Sequence, residues 1–237
     1  MFSLTRRGLA AASGLTVAIA SLAACSPSSS SHGLAVVATT TQICDYVTQI
    51  AARSTDISLD KTDASGQSAH VGAAPEGAAL TMSLTCLLAP NASAHEHEMT
   101  PAQTKALSEA DVMAVSGVDL EHFLDDAVAS SGFKGRMVVT SGVLTAADID
   151  NPGTPDPEVA YTIDRGGERV NVAPWPFPPE EAGEEPEFRF DPHVWTSPKG
   201  AHVQVANLGA GLAAAVPDAA SSINAATASY LEDIDAL

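Results

Sequence analysis

Basic residues are scarce in this chain: 11 lysines and arginines stand against 29 aspartates and glutamates, a formal net charge of −18. A surface of that sign excludes nucleic acid as a partner and suits a protein that meets cations. Cysteine is sparse too, with three residues and no pair at the short spacing of a thiolate metal site. A membrane span is missing: residues 8–24 are uncharged and apolar, but the run is short and lacks a basic stop-transfer flank. No nucleophile or oxyanion motif is visible, which leaves covalent catalysis without its parts.

The N-terminus is a targeting segment. Arg6 and Arg7 precede the apolar run, and Leu22-Ala23-Ala24-Cys25 places small residues before a cysteine. The last four resemble the lipobox of bacterial lipoproteins, so residues 1–24 are expected to be a signal peptide and Cys25 a lipidation site. Thr5-Arg6-Arg7-Gly8-Leu9 also fits a twin-arginine signal, with routine export as the alternative. Residues 25–33 are serine-rich, contain Pro27 and cannot form a core, so they are expected to be a tether. The remaining pair, Cys44 and Cys86, predicts a disulfide in an oxidising compartment, with two thiolate metal ligands as the alternative.

Beyond the tether the hydrophobic period alternates. Residues 34–39 (LAVVAT) are a buried-strand pattern, and Ile43, Val47, Ile50 and Ala51 follow at helical spacing. Further strands are expected at 56–59, 80–88, 111–115 and 136–140, with residues 62–77 as a loop. Thr100-Pro101-Ala102-Gln103 is a helix start, with an N-cap threonine, proline at the first position and a capping-box glutamine. Leu120, Phe123, Leu124, Ala127 and Val128 form a helical stripe ended by Gly132. This rhythm predicts an α/β fold, an open, mostly parallel sheet flanked by helices. Residues 151–190 break the rhythm; they are proline-rich, end in Glu180, Glu181, Glu184, Glu185 and Glu187, and are expected to be a solvated loop. A helix is expected over 203–216, broken by Pro217. The stripe Ile223, Ala226, Tyr230, Leu231, Ile234 and Leu237 then runs to the last residue without a cap, so the chain is expected to continue beyond it.

Two histidine-bearing loops stand out. In Asp191-Pro192-His193-Val194-Trp195 the proline stiffens the backbone, and an imidazole on a stiff turn loses little freedom on binding a metal. Trp195 is expected to bury its indole and fix the turn. The other loop, His95-Glu96-His97-Glu98, lies between a strand and a helix N-terminus, where α/β sheets hold ligands. In an extended loop the side chains of His95 and His97 face opposite ways, and His95 is taken as the inward one. His95 and His193 are therefore the predicted metal ligands. Glu98 is the preferred carboxylate partner for an imidazole N–H and Asp191 the weaker one. His32, His70, His122 and His202 are assigned to structural or solvent-exposed roles, with His122 on a helix surface.

Several of these stretches together resemble the zinc- or manganese-specific solute-binding lipoproteins of ABC transporters (bacterial solute-binding protein family 9). They are Val36-Val37-Ala38-Thr39-Thr40, His95-x-His97-Glu98-x-Thr100-Pro101, Ala110-Asp111-Val112 with Gly117 and Leu120-Glu121, and Asp191-Pro192-His193-Val194-Trp195. Asn91-Ala92-Ser93-Ala94 stands where the family has Asp-Pro before the first histidine. The resemblance implies two α/β lobes joined by a long helix, with residues 34–216 as the N-terminal metal-binding lobe and 217–237 as the start of the connecting helix. The C-terminal lobe and its ligands are then absent. It further implies capture of Zn2+, with Mn2+ as the alternative, by a lipid-anchored, extracytoplasmic monomer that delivers the ion to an ABC permease, without enzymatic activity. A metal-dependent hydrolase using the His-x-His loop and Glu98 is one rival; a structural or adhesive lipoprotein is another.

Overall fold

Residues 33–179, 183–184, 186 and 188–237 are described by the structure, a computed structural model. The signal segment, Cys25, the tether up to His32, and Glu180, Glu181, Glu185 and Glu187 lie outside the described residues. The β-branched run at the start forms β1 (Leu34–Ala38), and Thr40 caps helix α1 (Thr41–Ala52) by accepting from Ile43 N at 3.3 Å. Strands β2 (Ile57–Thr62), β3 (Ser68–Gly72) and β4 (Leu80–Cys86) follow. Helix α2 (Pro101–Ser108) opens with both bonds of the capping box, and Gln103 Nε2 ties it to the end of β4 by donating to Leu87 O at 2.7 Å. Strand β5 (Val112–Val115), helix α3 (Leu124–Ser131), strand β6 (Arg136–Val139), helix α4 (Ala146–Asp150) and strand β7 (Thr162–Asp164) complete the alternation.

The seven strands form one sheet in the order β3-β2-β4-β1-β5-β6-β7, parallel throughout except for the β2–β3 pair. Successive residues of the central strands enter opposite cores, which explains their unbroken apolar runs. Val36, Val112, Ala114 and Val138 pack toward α1, α5 (Pro198–Ala215) and α6 (Ala220–Asp235). Val37, Met113, Val115, Met137 and Val139 pack with Leu107 and Ala127, under α2 and α3. Helix α6 lies against α1 and α5 through Ile223, Ala226 and Ile234, and Arg53 pairs with Asp233 at 2.7 Å. No helix among the described residues is long and apolar enough to cross a membrane.

Four expectations are corrected. Residues 62–77 contain β3, whose residues are largely exposed and so carry no apolar alternation. The stretch 151–190 contains β7, three residues long, held beside β6 by Arg136 and Asp164 at 2.8 Å. The stripe from Leu120 is helical only from Leu124, because Gly117, Val118 and Asp119 adopt left-handed φ values of 85°, 58° and 56°. Helix α5 starts at Pro198, under a Ser197 cap, and not at Val203.

Candidate metal centre

His193 sits on a turn held from every side. Phe190 bridges Pro174, and Asp191 N donates to Ala173 O at 2.8 Å, so a minimal antiparallel ribbon leads into it. Asp191 Oδ1 accepts from His193 N at 3.0 Å and pairs with His193 Nδ1 at 2.8 Å. A proton on Nδ1 directed at the carboxylate leaves Nε2 as the nitrogen available to a ligand. Trp175 stacks on the ring at 5.9 Å, and Trp195, half-buried rather than buried, meets it edge-on at 5.3 Å. The turn Val194–Thr196 rests on the start of α5, where a Cβ on Gly200 would lie 1.8 Å from Val194 O; only glycine permits that approach. Gln204 and Asn207 fix α5 to the sheet, donating to Thr140 Oγ1 at 3.2 Å and Thr140 O at 2.9 Å.

His95 arrives on a different kind of segment. Strand β4 ends at Cys86, which is disulfide-bonded to Cys44 of α1 with Cα atoms 5.6 Å apart. Residues 89–99 then run without regular structure, largely exposed, through a left-handed Asn91 at φ 66°. The His95 ring centroid lies 5.5 Å from that of His193, 4.8 Å from Phe188 and 5.9 Å from His122. His97 turns the other way, edge-on to Phe123 at 4.9 Å. Burial holds its pKa below the usual histidine range, and its Nε2 is buried without a hydrogen-bond partner among the described residues.

Two imidazoles bound to one tetrahedral zinc have centroids about 5 Å apart, given Zn–N bonds of about 2.0–2.1 Å. The His95–His193 centroid separation of 5.5 Å is close to that. Among the described residues no group of three or more His, Cys, Asp and Glu side chains is arranged to hold an ion. Asp191 is the carboxylate paired with His193, and Glu98, the other carboxylate candidate, is exposed. A cavity of about 460 Å³ opens on the Asp191 side of His193, with Arg169 and Lys199 at its edge. His70 and His202 pair elsewhere, with Asp60 at 2.9 Å and Asp235 at 2.7 Å.

Sequence reasoning missed the aromatic wall. Phe188, only 4% exposed, packs on His95 and on Trp175, the latter at 5.0 Å. The stretch 151–190 is therefore not merely solvated; it walls the imidazoles. Ion pairs of Arg189 with Asp150, and of Arg165 with Asp148 and Asp156, tether it. The signal was present in Trp175, Phe177 and Phe188, aromatics set among prolines and acidic residues. His122 is exposed as expected but lies on a turn ahead of α3 and not on a helix, with its ring 5.9 Å from that of His95. Gly117 ahead of Leu120-Glu121 marked a turn there.

Comparison with known proteins gives a consistent picture. A family model described as zinc-uptake complex component A, periplasmic, matches residues 77–237. The Zn(II)-bound AdcA of Streptococcus pneumoniae is similar over 86% of this chain and 31% of that one, at 16% identity and a TM-score of 0.52. The metal-dependent lipoprotein YcdH of Bacillus subtilis is similar over 85% and 52%, at 17% identity and a TM-score of 0.51. The chain thus spans about a third to about half of the length of these solved structures, and the likeness is one of fold.

Proposed function

The chain belongs to the family of periplasmic zinc-uptake complex component A, and on that premise we propose that it captures a divalent transition metal outside the cytoplasm for an ABC permease. Zn2+ is the first choice and Mn2+ the alternative. His95 and His193 bind the ion through one nitrogen each, and Asp191 fixes the tautomer and direction of His193. Two neutral imidazoles leave the charge of the ion uncompensated, so the remaining ligands, a carboxylate among them, come from outside the described residues. Residues 34–216 act as the metal-binding lobe, 217–237 lead into the connecting helix, and Cys25 anchors a monomer to the membrane through lipid. The net charge of −18 favours the arrival of cations.

The observation that carries this reading is the 5.5 Å approach of two imidazoles that lie far apart along the chain. Calorimetric titration of the 237-residue chain with Zn2+ tests it: His193→Ala is expected to weaken binding at least tenfold, about 1.4 kcal/mol. Unchanged affinity removes His193 from the site. Because a ligating imidazole must be neutral, affinity is also expected to fall as the pH drops below about 6.5. Binding that is flat across that range excludes histidine ligation.

A further inference from the structure

His122 is an exposed side chain between two buried neighbours, and its place is set by them. The Glu121 carboxylate is buried and accepts from Ser116 N at 2.6 Å, Gly117 N at 3.1 Å and Thr39 Oγ1 at 2.6 Å. On the other side Phe123 is buried in the core under α2 and α3. The left-handed run Gly117-Val118-Asp119, with Asp119 Oδ2 accepting from Ala146 N at 2.7 Å, turns the chain back before α3 begins. The result is an imidazole on a pinned loop at the edge of the site. Its centroid is 5.9 Å from His95, nearly the separation between His95 and His193, and Phe188 packs against both His95 and His122, at 4.8 and 5.4 Å.

His95 therefore belongs to two imidazole pairs, one with His193 against the tryptophans and one with exposed His122. The three do not close into a single cluster. We propose that His122 and His95 form an outer two-imidazole position for a divalent cation, through which the ion reaches and leaves the His95–His193 position. This rests on the assignment of His95 and His193 as ligands. In the transfer His95 keeps its bond to the metal, the bond to His193 Nε2 forms and the bond to His122 breaks. Both exchanged ligands are neutral, so no proton or electron need move. Keeping one ligand in place spares the ion a return to full hydration, the general advantage of an intramolecular second binding event.

The two tryptophans of the chain, Trp175 and Trp195, both lie against His193, so their fluorescence reports on the inner position. Stopped-flow mixing of the 237-residue chain with Zn2+, and release to a chelator, gives both rates. His122→Ala, at an exposed position, is expected to slow arrival and release together, each at least threefold, because one route serves both directions. A faster release would make His122 an ordinary third ligand; unchanged rates would remove it from the path, and either overturns the proposal. Calorimetry adds a second reading: His193→Ala is expected to retain weak Zn2+ binding that His122→Ala/His193→Ala loses. Equal binding by these two variants also overturns it, while His193→Ala still weaker than wild type leaves the assignment of His193 standing. A wild-type chain that binds no Zn2+ overturns both.

Discussion

The turn that carries His193 and the loop that carries His95 meet at one point but are held by different means. The turn has a proline, a carboxylate clamp, two indoles and a glycine that lets α5 sit beneath it. The loop 89–99 is fastened at its base, by the Cys44–Cys86 bridge and the buried Leu87 and Leu88, and at its far end by the Thr100 capping box. Between those points it is irregular and mostly exposed. An arm already in its bound geometry loses little entropy on binding, whereas a loosely held arm must be ordered at that moment. On the proposed reading the affinity of the pair would be limited by the His95 side, and changes to the two arms should act through different terms.

The largest effect is expected at the base of the loop. Replacing both Cys44 and Cys86 with serine opens a closure of 42 residues, which the chain-entropy account values at about 4 kcal/mol. Denaturant unfolding measures this; a loss below about 1 kcal/mol would mean that packing of β4 on α1 already fixes the loop base. Next comes the clamp on the stiff arm. Asp191→Asn should cost about tenfold in Zn2+ affinity, since partners of ligating histidines contribute on that scale, whereas Glu98→Gln should change it less than twofold. Equal effects from the two substitutions would erase the contrast between the arms.

What the sequence made legible is what obeys a period or a capping rule. Strands β1, β4, β5 and β6 are read from apolar runs because both faces, or alternate residues of one, are buried. Helix α2 is read from Thr100 and Gln103, whose reciprocal bonds are present. The Cys44–Cys86 pairing follows from count and compartment. Strands β3 and β7 escape, since one is mostly exposed and the other is three residues long. His122 and Phe188 escape for another reason: their positions depend on left-handed backbone at Val118 and Asp119 and on ion pairs across the excursion 151–190. Neither of these has a periodic signature. The clamp of Asp191 on His193 is equally hidden, because a carboxylate two residues before a histidine closes an Asx turn onto its ring, a local geometry that hydrophobic patterning does not encode.

The smallest predicted effect concerns the wall shared by both arms. Asp148 accepts from Leu144 N at 2.8 Å and Thr145 N at 3.1 Å and pairs with Arg165 at 3.2 Å, which ties β7 and the segment leading to Trp175 and Phe188 to α4. Burial alone would raise its pKa, but the two N–H donors and the Arg165 guanidinium outweigh it and hold the carboxyl below the ordinary aspartate range. A folded-state pKa below the unfolded value of about 3.9 means that the stabilisation is present above that pH and is lost as the pH falls through the folded value. The stability gap between wild type and Asp148→Asn should thus be constant from neutral pH to about 5 and close below about 4. Its size should stay under about 1 kcal/mol, because solvent screens a pair this near the surface. Unfolding midpoints by circular dichroism across that range decide it: a gap that widens on acidification would mean that burial wins and the carboxyl is neutral in the folded protein. The wall over the two imidazoles would then rest on Phe188 packing rather than on charge.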